Sequence, residues 1–346
     1  MRKIEIGAGY LYKVSFHPNG EKLAVATATG TVQIWSVEGK LLQTLSGHSG
    51  IVNWLSWSPN GKQLVSVGED KTIRIWTETG TLQKEILAHD QQINQVAFSP
   101  QGDIFATSSE DKTVKLWSRE GELLKTLTDH EDYVIAIAFS RNGQYIATAG
   151  EDNLIKLWSR DGKLLKTLTG HTDAIVSLHF SGNGQTLLST SYDKTIKLWD
   201  LKTPSRLVLF GHTDHVRDVV FSPDGDRIAT GSDDTTVKLW NRQGKLIQTL
   251  QGHTDKVYSV SFSSDSQLLA SASHDGTIKL WHSNGSLFKT LTGHTDWVLD
   301  VTWSPNGQYL ASASRDSTIK VWTRNGELVQ TLWGHSDRVN SVTFSP

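Results

Sequence analysis

Thirteen histidines stand in a chain of 346 residues that has no cysteine. Many of them are followed at fixed distances by a hydroxyl residue and an aspartate. His212, for example, precedes Thr230 by 18 residues and Asp234 by 22. A histidine with a hydroxyl and a carboxylate is the combination that drives nucleophilic acyl transfer, because the imidazole takes the hydroxyl proton while the carboxylate fixes its tautomer. The same residue types can also ligate a metal. Repetition argues against both readings. His48, His89, His130, His171, His212, His253, His294 and His335 recur every 41 residues. An active site is built once, whereas a structural brace is needed once per unit. The remaining His17, His179, His215, His274 and His282 show no ligand spacing, and with no thiolate in the chain neither a metal nor a cofactor is expected. Gly182 and Gly184 in "SGNGQ" could suggest a phosphate loop. They fall where other repeats place Pro-Asn-Gly or Pro-Asp-Gly between two strands, which makes the segment a hairpin turn.

The elements that must position these residues follow the same period. Trp35, Trp76, Trp117, Trp158, Trp199, Trp240, Trp281 and Trp322 are each 41 residues apart, without one insertion. In the unit that begins at Gly211, four short apolar runs (216–221, 227–231, 236–240 and 245–250) are separated by turn residues such as Asp224-Gly225. Runs of this length with turn signals between them predict a four-stranded antiparallel meander. Val216, Val219 and Phe221 step by three and then by two, which implies a β-bulge near Arg217 and Asp218. A single four-stranded sheet with two apolar faces cannot fold alone in water, and eight twisted sheets stacked face to face form a ring. The expected fold is therefore all-β: one β-propeller domain over residues 1–346, with eight blades, the alternative being seven blades and a surplus repeat. Net charge −2, pI near 6.7 and the absence of a basic run argue against a nucleic-acid or membrane partner bound through bulk charge. "MRKIEIGAGY" has no apolar stretch behind its basic residues, and the longest apolar run, 134–139, is short, so a cytoplasmic protein is expected.

The Gly-His pair, the turn aspartate and the strand-ending tryptophan resemble the WD-repeat family over almost the whole chain, although only Trp199-Asp200 is literally Trp-Asp. The even, insertion-free repeats look most like tandem WD-repeat arrays of bacteria, the cyanobacterial type in particular. The resemblance implies a hydrogen-bonded tetrad in each blade, here His212, Thr230, Asp234 and Trp240, recurring in the seven repeats that end at Trp76 through Trp322. In the first repeat the corresponding positions hold Gly7, Val25 and Thr29, so a looser core is expected there. The resemblance also implies a non-catalytic scaffold or sensor, often part of a larger signalling protein, that binds proteins or peptides. An enzyme using the central funnel is the alternative, but no convergent set of unrepeated polar residues stands out for it.

Partner contacts in this family come typically from two positions in the bulged strand and one before the turn aspartate. Carried over, these give Glu69, Glu110 and Glu151 on blades two to four, Tyr133 and Tyr192 on blades four and five, and Arg217, Lys256, Tyr258, His274, Trp297 and Arg315 on blades six to eight. An acidic arc thus faces a basic and aromatic arc, and an acidic or phosphorylated segment is the expected partner of the second. In this family the outermost strand of the last blade commonly comes from the other end of the chain. Here "RKIEI" and "ELVQTL" both match that strand, and residues 334–346 read as the start of a ninth unit. Val339, Val342 and Phe344 would then lack a sheet, and the sequence is expected to be a fragment of a longer array.

Overall fold

A computed structural model describes residues 11–36, 40–202, 206–209, 211–333 and 338–342. Among them, eight four-stranded antiparallel sheets follow one another, each formed from strands consecutive in sequence. In the sixth sheet the strands are Val216–Phe221, Arg227–Ser232, Val237–Asn241 and Leu246–Leu250. No helix among the described residues is long and apolar enough to cross a membrane.

Each strand's composition follows from what covers it. The second strand of a blade is covered on both faces, so Arg227–Ser232 is buried at every position but the first and is made of small residues after Ile228. The outermost strand is covered on one side only and leaves Leu246 and Ile247 exposed. Between blades six and seven, Ala229, Val237, Leu239 and Leu250 pack against Val257, Val260, Phe262, Leu269 and Trp281. Burying each large side chain here contributes about 1.5–3 kcal/mol, and a cluster of this kind fills every gap in the ring. The innermost strands touch one another in succession and line a central channel.

Every innermost strand skips one residue in its pairing, at Tyr12, Asn53, Asn94, Ile135, Val176, Arg217, Tyr258 and Leu299. The bulge expected at Arg217 therefore recurs in all eight blades. In the tight turn after the tetrad aspartate a residue takes positive φ, Thr235 at 70° in blade six and Gly276 at 80° in blade seven. The aspartate supports this turn, since Asp234 accepts the amide of Thr236 at 3.0 Å.

Of the two segments that match the outer strand of the last blade, one lies within the described residues. The outer strand of blade eight is Leu328–Trp333, continuous with its own sheet, while "RKIEI" lies outside the described residues. Val339 and Val342, expected to lack a sheet, belong to none of the eight sheets and are nevertheless buried. They lie between blades eight and one, among Ala311, Ala313, Ile319 and Leu332 on one side and Val14, Leu23, Val25 and Trp35 on the other. The Val339 amide donates to Ser314 O at 2.8 Å, and the Val342 amide donates to Asp300 Oδ2 at 2.7 Å. Residues 338–342 thus enter the seam between two blades. Phe344 lies outside the described residues.

Candidate functional site

The frame beneath the site is the tetrad. Trp240 Nε1 donates to Thr230 Oγ1 at 3.0 Å, Thr230 Oγ1 lies 2.7 Å from His212 Nε2, and His212 Nδ1 lies 2.8 Å from Asp234 Oδ2. One proton arrangement satisfies the whole chain: indole to hydroxyl, hydroxyl to Nε2, Nδ1–H to carboxylate. That arrangement requires a neutral imidazole, and burial pushes His212 down toward it despite Asp234. Burial works to raise Asp234, but bonds from His212, Thr236 and Thr213 overcome it and hold the carboxyl well below the usual range. The same contacts tie His48 to Ser66, His89 to Thr107, His130 to Thr148, His171 to Ser189, His253 to Ser271 and His294 to Ser312. In blade one, Gly7 lies outside the described residues, and Trp35 Nε1 donates instead to Gln33 Oε1 at 3.1 Å. The hydroxyl that would have to act as a nucleophile, Thr230 Oγ1, belongs to a residue with no exposed surface. A substrate carbonyl cannot reach it, so the tetrad is a brace.

The unrepeated side chains gather above this frame. On blades five to eight, Tyr192 packs on His215 (ring centroids 5.4 Å apart), and the Arg217 guanidinium lies 5.8 Å from the Tyr192 ring and 5.1 Å from Tyr258. Tyr258 stacks on His274 at 4.3 Å, His274 on Trp297 at 3.9 Å with 7° between the planes, and Arg315 sits 4.3 Å from the Trp297 ring. Arg217, Tyr258, His274, Trp297 and Arg315 therefore form one continuous ladder across three blades, three stacked rings with a guanidinium at each end. His274, whose pKa is lowered chiefly by burial, has a buried Nε2 with no hydrogen-bond partner among the described residues.

The basic charge of this arc is partly spent internally. Arg217 grips Asp233 with Nε at 2.7 Å and Nη2 at 2.5 Å, and Lys256 Nζ reaches the same carboxylate at 3.2 Å. The Asp233 side chain is only 2% exposed. Burial works to raise its pKa, and the two cations bring it below the ordinary range. Asp233 also comes close to Asp214 and His215, near enough together for the three to hold a cation. Both Asp233 oxygens already face positive side chains, so a metal ion would enter against Arg217 and Lys256. The trio reads as part of the charge network.

On blades two to four the arrangement is open. Glu69 Oε2 accepts the Ile51 amide at 3.3 Å and Glu110 Oε1 accepts Gln92 Nε2, whereas the Glu151 side chain has no hydrogen bond or ion pair among the described residues. Burial raises the Glu151 pKa, and Asp132, Asp173 and Glu110 raise it further. Glu151 lines a recess of about 420 Å³ together with the polar Asn94, Gln95, Glu110, Tyr133 and Ser177 and apolar residues that include Trp54, Ile137 and Leu178. Not every bulge position turns outward as expected. Asn53 and Asn94 reach across to the next blade and donate to Ile93 O and Val134 O at 3.0 and 3.1 Å.

A row in the channel escaped sequence reasoning. Asp218, Ser259, Asp300, Ser341 and Lys13 occupy one repeat position, just after the bulge, and are linked across blades. Ser259 Oγ donates to Asp300 Oδ1 at 2.8 Å, the Val260 amide to Asp218 Oδ2 at 2.9 Å, and Lys13 Nζ to Ser341 Oγ at 3.2 Å. Burial, with Asp300 adding to it, raises Asp218 to about 6. The signal was available, since this position runs Lys, Trp, Gln, Ala, Ser, Asp, Ser, Asp, Ser through the repeats. These groups bind neighbouring strands, and that accounts for them as pins between blades.

Nine consecutive segments match the family model described as WD domain, G-beta repeat: residues 5–36, 39–77, 80–118, 121–159, 162–200, 204–241, 244–282, 285–323 and 326–346. A comparison with curated protein sequences gives no match.

Proposed function

The chain belongs to the WD-repeat family, and from that premise we propose that it is a non-catalytic scaffold or sensor that binds a protein or peptide across the rim of its ring. Propellers of this family are generally protein-interaction scaffolds. The observation that carries the reading is the ladder from Arg217 to Arg315. It is unrepeated and half-buried, and it is built from aromatic and arginine side chains, the types that dominate interface energetics. A solvated rim has no need of Trp297 or Tyr258. An acidic or phosphorylated group on the partner would meet Lys256 and Arg315, whose side chains stay 43% and 45% exposed, and not Arg217, which Asp233 holds. Signalling, a cytoplasmic setting and kinship with bacterial tandem arrays belong to the same reading, supported by the even 41-residue period. Nucleic acid and membranes have no part in it.

The test is a randomised displayed-peptide library selected on the wild-type protein and counter-screened on Trp297→Ala and Arg315→Glu. Enriched peptides should lose roughly tenfold or more in affinity on either variant, the effect of removing one interface anchor. Enriched peptides that bind both variants unchanged would show that the ladder is not the binding face.

A further inference from the structure

We propose that the recess on blades two to five is a pocket for a basic side chain, lysine or arginine, presented by a bound peptide. This rests on the reading of the rim as a peptide-binding face and adds a subsite that the ladder does not supply.

Three features converge on it. Its volume, about 420 Å³, exceeds that of one side chain and admits a short stretch of extended peptide. Its lining suits the methylenes of a long cationic side chain, since Ile135, Ala136, Ile137, Val176, Leu178, Trp54 and Tyr133 are among it. One face of the Trp54 ring is already taken by Lys13, whose Nζ lies 4.1 Å from its centroid, so Trp54 serves as apolar wall and the charge complementarity must come from the carboxylates. Glu110 and Glu151 also line it. Glu151 has no cationic partner among the described residues and is surrounded by like charge from Asp132, Asp173 and Glu110, so an incoming cation relieves repulsion while forming an ion pair.

The lysines nearby do not already serve this purpose. Lys112 is directed to Glu131 O at 2.8 Å and lies 4.0 Å from Asp132, and Lys194 lies 3.8 Å from Asp214. None of the three contacts involves Glu110 or Glu151. The contrast with Asp233 is direct. There two cations of the protein's own have closed on the carboxylate, and here no cation among the described residues pairs with Glu110 or Glu151.

The probe is an N-acetylated, C-amidated Gly-Gly-Arg-Gly-Gly peptide, compared with the same peptide carrying citrulline, which keeps the shape of arginine and removes its charge. Ligand-observed saturation-transfer NMR at about 50 mM salt reads the binding, within the low-ionic-strength range where partly exposed charges act most strongly. The arginine peptide should bind at roughly millimolar strength, about fivefold or more tighter than the citrulline peptide, as an isolated anchor would. The preference should disappear in Glu110→Gln/Glu151→Gln, fall by about half in Glu151→Gln alone, and persist in Trp297→Ala. Because the Glu151 side chain makes no hydrogen bond or ion pair among the described residues, its single substitution keeps the test available should the double variant fold poorly.

Equal binding of the two peptides, or a preference that survives in both Glu variants, would overturn the assignment. So would loss of the preference in Trp297→Ala. The probe touches neither Arg315 nor the library selection. A negative result here leaves the ladder's own test standing, and a failed ladder leaves this one readable.

Discussion

The two arcs of the rim carry similar numbers of charged groups and have opposite internal economies. On blades six to eight the cations have found a carboxylate, and the rings have found each other: Asp233 is enclosed by Arg217 and Lys256, and His274 lies between Tyr258 and Trp297. On blades two to four the carboxylates crowd one another beside an unfilled recess, and Glu151 has like charges for neighbours. The first arc is preorganised. A partner meeting it pays little entropy to order side chains that the fold already holds. The second arc is strained by its own charge, and a complementary cation would be drawn to it over a distance of about a Debye length, 8–10 Å. Residue type alone assigned the leading role to the basic arc. Pairing reverses the emphasis for charge and keeps it for shape.

The comparison first requires that both arcs rest on the same rigid frame, and the largest expected effect tests this. Trp240→Ala removes a buried indole that donates to Thr230 and packs against Val216 and Val219, and should cost about 3–5 kcal/mol. Trp297→Ala removes a half-buried ring of the ladder and should cost about 1 kcal/mol, in the range of a stacked aromatic pair. Denaturant titration of both variants distinguishes frame from rim. Equal midpoints would mean that the ladder is structural core and not a surface.

A second, smaller effect breaks one arc and spares the other. Asp233→Ala leaves Arg217 and Lys256 facing each other without a counterion in a mostly buried corner, and should cost about 2 kcal/mol, the usual penalty for orphaning a buried charged partner. Glu151→Ala removes a carboxylate with no bond and with repulsive neighbours, and should leave stability unchanged or slightly higher. Thermal unfolding of the two proteins measures the asymmetry directly. A loss at Glu151 as large as that at Asp233 would show that the acidic arc has internal partners after all.

Much of this molecule was legible beforehand because the repeat averages away accidents. The period gave the eight blades, and the step of three then two from Val216 to Phe221 gave the bulge at Arg217. The Gly-His and turn-Asp spacing located all seven tetrads. The departures all depend on contacts between blades, which no single repeat displays. Asp233 holds Arg217 within blade six, but Lys256 joins them from blade seven, so the closed charge network depends on how those two blades meet. Asn53 and Asn94, at the bulge of blades two and three, cross to the next blade and donate to its backbone carbonyls, a contact that one repeat alone does not display. Val339 and Val342 seemed to need a sheet. A seam between two blades buries them equally well, since hydrophobic burial is indifferent to what supplies the cover.

The smallest effect sharpens the acidic arc's half of the comparison. Glu151 has its pKa raised by burial first and then by Asp132, Asp173 and Glu110, so its folded-state value lies above the unfolded reference of about 4.3. The folded protein therefore binds this proton more tightly than the unfolded chain does. Stability from this group is greatest at low pH and declines as pH rises from the unfolded value through the folded one, the reverse of the tetrad aspartates, whose lowered pKa values add stability that is lost on acidification. An NMR titration of the side-chain carboxyl carbons should place the Glu151 midpoint above the ordinary glutamate value, and Glu110→Gln should move it down by removing one of the charges that raise it. A midpoint at the ordinary value, or one indifferent to Glu110→Gln, would mean that the arc's carboxylates do not sense one another, and the electrostatic case for a cation at the recess would fall with that result.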